Sequence, residues 1–130
     1  METKVIKIDR KNPDKELLKE AGKLLADGAL VAFPTETVYG LGGDGLQESA
    51  ATRIYAAKGR PSDNPLILHI AEVSDMEKLA VEIPELAYRL AEQFWPGPLT
   101  MILKKSEMLT KCKEYILYSS CSAESFRPIA

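Results

Sequence analysis

The chain has 130 residues, 17 basic and 19 acidic side chains and a formal net charge of −2. This length and a hydrophobic fraction of 45% fit one globular domain with a modest core. The near-balanced charge excludes strong nucleic-acid binding through a general positive field, although a local basic pocket remains compatible with it. No apolar run approaches the ~20 residues that span a bilayer. The charged N-terminus lacks the apolar core of a signal peptide, so we expect a cytoplasmic protein without membrane partners.

The first half of the chain predicts two strands and a helix between them. Residues 4–8 alternate enough to indicate a strand. Asn12 and Pro13 fit the N-cap and first turn of a helix that Gly28 terminates. The apolar run 29–33 is typical of a buried strand. Four glycines crowd the next dozen residues, which we expect to be irregular.

The second half continues this alternation of helices and strands. The pattern predicts a helix over 48–57, a strand over 65–70, a short helix over 75–80, a helix that begins at Pro84 and a strand over 99–103. In the helix that follows Pro84, we expect Leu86, Leu90 and Phe94 to face inward. Residues 115–118 have the composition of a further short strand. Strands that alternate with helices indicate an α/β domain.

The segment PTETVYGLGGDG, residues 34–45, places hydroxyl groups directly after a predicted buried strand. Thr35, Thr37 and Tyr39 would lie at its carboxyl end, where open α/β sheets bind their ligands. The glycines would let the backbone approach a ligand closely and donate N–H groups to it. Their spacing matches neither common phosphate-binding motif. By its glycines alone, the segment fits a flexible surface loop equally well.

Four polar side chains near the next predicted strand are candidates for ligand binding, and each has an ordinary structural alternative. Lys58 and Arg60 suit phosphate or carboxylate groups, but cations also suit a helix C-terminus. Asn64 fits contact with a nucleotide or the capping of a turn. His69, the only histidine, fits catalysis or a hydrogen-bonded core position. The two cysteines, Cys112 and Cys121, form no metal or redox motif and are expected to be reduced thiols.

The motifs PTETVYGLG, KGRP, NPLILHI and WPGPLT occur in this order over about residues 14–104, and together they closely resemble the YrdC family. The resemblance implies a twisted mixed sheet flanked by helices. It also implies L-threonylcarbamoyladenylate synthase activity, a nucleotidyl transfer that converts L-threonine, bicarbonate and ATP into threonylcarbamoyl-AMP and pyrophosphate. The product serves the threonylcarbamoyladenosine modification of tRNA. ATP would enter as its Mg²⁺ complex, and no tightly bound cofactor is implied.

The resemblance further implies roles for individual residues. Lys58, Arg60 and Asn64 match positions that bind ATP in the family. Thr37 and His69 match positions that contact threonine. The family chemistry depends on positioning and charge neutralisation, so no side chain is expected to act as a covalent nucleophile, and no metal ligand is implied.

Two motifs that the family carries after the strand over 99–103 are absent, one like Thr-Val-Ala-Val-Arg and one like Ser-Ala-Asn. We therefore expect residues 1–105 to be the N-terminal part of a YrdC-like domain, and 106–130 to be an atypical tail of a truncated or frameshifted member. Weak or no catalysis is predicted for such a chain. Two alternatives stay open, namely a YrdC-like module that binds double-stranded RNA weakly without catalysis, and an inactive fragment.

Overall fold

The computed structural model of the chain describes residues 2–9, 11–35, 38–59 and 66–109, and the backbone of Tyr115–Ser120. The helices are α1 (Lys15–Ala26), α2 (Glu48–Lys58), α3 (Met76–Leu79), which follows a 3₁₀ turn at Val73–Asp75, and α4 (Glu85–Phe94). The strands are β1 (Val31–Phe33), β2 (Gly40–Gly42), β3 (Ile67–Ile70), β4 (Gly97–Lys104) and β5 (Tyr115–Ser120). Within the described ranges, no helix is both long and apolar enough to cross a bilayer.

The strands form a two-stranded ribbon and a mixed three-stranded sheet. In the ribbon, β1 runs antiparallel to β2, with Val31 opposite Gly42 and Phe33 opposite Gly40. In the sheet, β5 lies between its neighbours, parallel to β3 and antiparallel to β4. The mixed pairing and the flanking helices confirm the predicted α/β architecture.

Helix α1 begins two residues later than the sequence predicted and ends where it predicted. The N-cap is Asp14, whose carboxylate accepts the backbone N–H of Glu16 at 2.9 Å. The prediction of Asn12 as the cap is wrong, because the carboxylate of Asp14 already satisfies a free N–H of the first turn. At the other end, Gly28 adopts a φ of 82° and donates its N–H to the carbonyl of Leu25 at 2.8 Å. This left-handed conformation favours glycine, so the predicted terminator is confirmed.

The predicted strand over residues 4–8 is wrong, because residues 2–9 contain no strand. A strand requires a neighbour for its backbone N–H and C=O groups, and no described strand pairs with this segment. Val5 is exposed, and the side chain of Lys4 forms an ion pair with Glu20 of α1. Alternation of apolar residues therefore did not suffice to specify a strand here.

The main core lies between β3, β4 and the helices that connect them. Its buried members are Ile70, Met76, Ala80, Ala87, Ala91, Trp95, Met101, Leu103 and Leu109. Helix α4 contributes its two alanines to this core, whereas Leu86 and Phe94 are 60% and 50% exposed. The predicted inward stripe is thus wrong for Leu86 and Phe94, although Leu90 does pack against the core. Small side chains at Ala87 and Ala91 let the helix approach the sheet closely.

The segment after β4 is tied to the core as far as residue 109. The buried hydroxyl of Ser106 donates to the carbonyl of Lys78 at 2.9 Å, and its backbone N–H donates to that of Leu79 at 2.8 Å. Leu109 is also buried. The division of the chain after residue 105 stays a prediction, and Cys112 and Cys121 lie outside the described residues.

Candidate functional site

The glycine-rich segment is built around the ring of Phe33. A Cβ atom at Gly42 would lie only 2.7 Å from Cε1 of this ring, and one at Gly40 would lie 3.1 Å from Cε2 and Cζ. The two glycines therefore leave the space that the ring occupies across β2, an arrangement in which an aromatic side chain covers strand glycines. The expectation that this segment is irregular is wrong for Gly40–Gly42, because cross-strand packing of the ring accompanies regular pairing with β1.

The following glycines allow equally close packing against other elements. A Cβ atom at Gly43 would lie 3.0 Å from the Cβ of Ala50 in α2. At Gly45, a Cβ atom would overlap the side chain of Leu68 in β3. Close contact, and not freedom of the backbone, thus accounts for the glycines of residues 40–45. The alternative interpretation as a loop is wrong for Gly40–Gly42, which form β2, and stays open for the rest of residues 34–45.

The packing of Phe33 brings the end of β1 close to β3. Thr35 follows β1 and donates its hydroxyl to the carbonyl of Val38. The methyl group of Thr35 lies 3.5 Å from the position that a Cβ atom at Gly40 would occupy, which is also next to the Phe33 ring. On the other side, the ring of Phe33 meets that of His69 edge to face, with centroids 6.1 Å apart and planes at 80°. Thr35, Phe33 and His69 therefore form the centre of the candidate site.

Of the five residues to which the family resemblance assigns binding roles, the structure describes Lys58 and His69. Lys58 is exposed in the last turn of α2, and the helix closes at Gly59 with a φ of 59°. This place suits both a role at the helix C-terminus and a role in phosphate binding. Thr37, Arg60 and Asn64 lie outside the described residues. The binding roles of all five residues remain predictions.

Sequence reasoning missed the part that Phe33 plays at this site. It treated the residue only as a member of a buried strand. A signal was present in the two-residue spacing of Gly40 and Gly42, since glycines at alternate strand positions leave one face of the strand without side chains. A large ring on the neighbouring strand can fill that face. The sequence did not indicate that the same ring would reach His69.

Among the residues that the structure describes, one face of the three-stranded sheet carries exposed apolar side chains in the strands next to His69. Ile67 and Ile102 pair with the same position of β5, so they lie in one row across the sheet. Both are exposed, whereas Ile70 and Met101 are buried on the opposite face. His69 lies two residues after Ile67 and hence on the same face. A small ligand could lie on this face and contact both an imidazole and apolar surface.

A shallow depression elsewhere on the surface does not belong to this site. It has a volume of about 600 Å³ and is lined by Glu48, Ser49, Thr52 and Arg53. All four residues belong to α2, and Arg53 is already bonded to the carbonyl of Ser49 at 3.3 Å. The described residues contain no group of three His, Cys, Asp or Glu side chains that could hold a metal ion.

The fold and site define an α/β domain whose sheet is contacted by a glycine-rich ribbon. Residues 23–118 match the family model Sua5/YciO/YrdC, which carries the description telomere recombination. The chain belongs to this family, as its motifs predicted.

Relatives in this family share high identity with the chain. It is 57% identical over 94 residues to the threonylcarbamoyl-AMP synthase of Pyrococcus abyssi, a match that covers 72% of the chain and 28% of the relative. It is 55% identical over 86 residues to the threonylcarbamoyl-AMP synthase of Bacillus subtilis, which covers 66% of the chain and 25% of the relative. The chain thus spans about a quarter of the length of these two relatives.

Solved structures of Sua5 from P. abyssi share the fold. A variant of that protein matches with a TM-score of 0.83 and 47% identity, covering 91% of this chain and 36% of the other. Its complex with L-threonine matches with a TM-score of 0.78 and 49% identity, covering 84% and 33%. These matches confirm the predicted YrdC-like fold.

Proposed function

We propose that this chain carries part of an L-threonylcarbamoyladenylate synthase and that the sheet face that carries His69 binds L-threonine. The observation that carries the proposal is the match with Sua5 from P. abyssi, which was solved in complex with L-threonine. The convergence of Thr35, Phe33 and His69 supports it, because it places a hydroxyl group and an imidazole near the exposed Ile67 of β3. The activity would serve tRNA modification in the cytoplasm.

The proposed reaction proceeds in two steps. The amine of threonine attacks the carbon of bicarbonate, and water leaves to give a carbamate. A carbamate oxygen then attacks the α-phosphorus of ATP, the bond from that phosphorus to the bridging oxygen breaks, and pyrophosphate leaves. The products are threonylcarbamoyl-AMP, pyrophosphate and water. Both steps depend on alignment of the reactants and on neutralisation of the phosphate charge.

The proposed roles follow from the chemistry of each side chain. Lys58 and Arg60 would neutralise the phosphates of ATP, which enters as its Mg²⁺ complex, and Asn64 would contact the nucleotide. Thr37 and His69 would bind threonine. Exposure of Lys58 at the end of α2 supports access to a bound anion. The division into a domain part, residues 1–105, and a tail belongs to the same proposal.

Ligand-dependent stability tests whether the site binds its substrates. A thermal melt of the 130-residue chain would be recorded alone, with L-threonine, with ATP and Mg²⁺, and with all three. A ligand at about 100 times its Kd stabilises a folded protein by roughly 2.7 kcal/mol, so the midpoint should rise clearly. Arg60→Gln should reduce the shift from ATP. Lys15→Gln, an exposed cation at the start of α1, is the matched control and should not.

A turnover assay tests the reaction itself. We expect slow release of pyrophosphate from ATP that requires both threonine and bicarbonate, together with a product of the mass of threonylcarbamoyl-AMP. Binding of threonine without any product would mean that the chain retains the substrate site alone. A melt that threonine and ATP leave unchanged, in a chain that unfolds cooperatively, would contradict the proposal.

A further inference from the structure

We propose that Phe33 is a positioning residue, whose ring rests on Gly40 and Gly42 and holds the imidazole of His69 in the orientation that threonine binding requires. The inference rests on the proposed function, since it assigns His69 to the threonine site. It adds a residue that neither the motifs nor the family resemblance singled out.

Phe33 contacts His69 from outside the main core. The side chain is only half-buried, and it is not among the residues that form or pack against the main core. Its ring instead lies against two glycines of β2 and against the ring of His69.

The ring of Phe33 restricts the orientation of the His69 imidazole. Rotation about the bond that joins an imidazole to its Cβ has broad, roughly two-fold preferences, so the strand alone does not fix the ring plane. An edge-to-face aromatic contact restricts that plane, and its partner must itself be held. Gly40 and Gly42 supply the support, because the ring of Phe33 lies where their side chains would be.

A substitution at Gly42 is a second, independent means of changing the orientation of the His69 imidazole. A Cβ atom at Gly42 would lie 2.7 Å from Phe33, closer than real contacts allow, so the ring must move. Gly42 has no positive φ, and alanine therefore introduces no backbone strain. Gly43→Ala is the matched control, because the added Cβ would meet Ala50 and Leu30 and not Phe33.

The test uses NMR signals of the single histidine. In the full chain, the imidazole C–H signals of His69 would be followed during titration with L-threonine, and then with ATP and Mg²⁺. Phe33→Leu should change the chemical shift of these signals in the free protein. It should also raise the Kd for threonine about three- to tenfold, the range expected for loss of one aromatic contact, with the Kd for ATP unchanged.

The glycine variants complete the test. Gly42→Ala should shift the His69 signals and raise the Kd for threonine, in a chain that keeps Phe33 and whose folding a thermal melt would verify. In the Phe33→Leu background, Gly42→Ala should have little further effect on threonine binding, since the ring through which it acts is gone. Gly43→Ala should leave the Kd for threonine unchanged.

Three outcomes would overturn the inference. If Phe33→Leu or Gly42→Ala leaves threonine binding unchanged, Phe33 does not position the site. If binding of threonine and of ATP weakens equally, the effect is general and not directed at His69. If the wild-type signal of His69 does not respond to threonine, the proposed function fails first and the inference with it, and this is recognised before any substitution is made.

Discussion

Around Met76, apolar side chains pack against one another, whereas around Phe33 a ring packs against the backbone of glycines. The first region includes α3, α4 and β4, and its central side chains are buried. The second is the β1–β2 ribbon, in which no residue of either strand is fully buried. Buried apolar area stabilises the first region, while shape complementarity defines the second.

This difference separates the part of the molecule that stabilises the fold from the part that forms the candidate site. Thr35, Phe33 and the glycines belong to the ribbon, which contributes little fully buried surface. Substitutions in the two regions should therefore differ in kind. Those near Met76 should lower the free energy of unfolding, and those near Phe33 should change ligand binding more than stability.

The largest effect on stability is expected from Met76→Ala. Met76 is 0% exposed, and truncation of such a side chain costs about 2–5 kcal/mol because it leaves a cavity. The measurement is urea unfolding followed by circular dichroism. Met108→Ala is the control, since Met108 is 61% exposed and its loss should change the free energy of unfolding by less than about 0.5 kcal/mol. Equal losses in both variants would contradict the assignment of Met76 to the core.

For Phe33→Leu we expect a smaller loss of stability than for Met76→Ala, although phenylalanine is a larger side chain than methionine. Leucine keeps part of the contact with Gly40 and Gly42, so we expect a loss of about 1 kcal/mol. The same urea titration would compare it directly with Met76→Ala. A loss as large as that of Met76→Ala would show that the ribbon stabilises the fold as much as the core does.

Ser106→Ala tests a single buried hydrogen bond at the edge of the core. Its removal leaves the carbonyl of Lys78 without the hydroxyl donor, which should cost about 1 kcal/mol. Ser74→Ala, at an exposed serine, is the control and should have almost no effect. If both substitutions are neutral, water replaces the hydroxyl of Ser106 and the segment after β4 depends less on this contact.

The smallest effect concerns the response to acid near Asp75. Its hydrogen bond from Lys78, 2.8 Å long, holds the pKa of Asp75 below the ordinary value of 3.8, and the N–H of Glu72 acts in the same direction against partial burial. Since the folded state has the lower pKa, the stabilisation is present above the ordinary value and is lost as pH falls through the lowered one. Lys78 is mostly exposed, so the loss should stay under about 1 kcal/mol.

Asp75→Asn should remove this part of the acid response. The measurement is the free energy of unfolding of wild type and variant from about pH 5 to about pH 2, compared as a difference so that other carboxylates cancel. Glu82→Gln is the control, because its ion pair with Lys104 is exposed on both sides. A difference curve for Asp75→Asn that stays flat over this range would contradict the predicted effect.

Local signals in the sequence predicted much of the fold. Helix α2 was expected over 48–57 and extends over Glu48–Lys58, because the helix ends at a glycine in the left-handed conformation. Helix α4 was predicted to begin at Pro84, which is its N-cap, and Glu85 is its first helical residue. These boundaries depend on capping residues next to the helix itself. A sequence pattern therefore contains the information needed to place them.

Features that depend on distant neighbours were not predictable in the same way. The inward face of α4 is set by how closely the helix approaches the sheet, which favours Ala91 over Phe94. Strand β2 forms although it is rich in glycine, because a ring from another strand covers it. At the site, the family resemblance assigned binding roles to His69 and Lys58. The contact between Phe33 and His69 joins residues far apart in the chain, and no local pattern indicated it.

The position of β5 in the sheet has a consequence for the order of folding during synthesis. Because β5 lies between β3 and β4, those two strands have no direct hydrogen bonds to each other through which they could pair early. When β4 has emerged from the ribosome, β3 and β4 are both exposed, but β5, the strand that pairs with each of them, has not yet emerged. The sheet is complete only after Ser120 has left the exit tunnel, and the pairing of β5 with β3, in which Ile67 lies opposite Leu117, is a long-range contact of the kind that forms slowly. Until then, the unpaired edges of β3 and β4 are open to binding by chaperones.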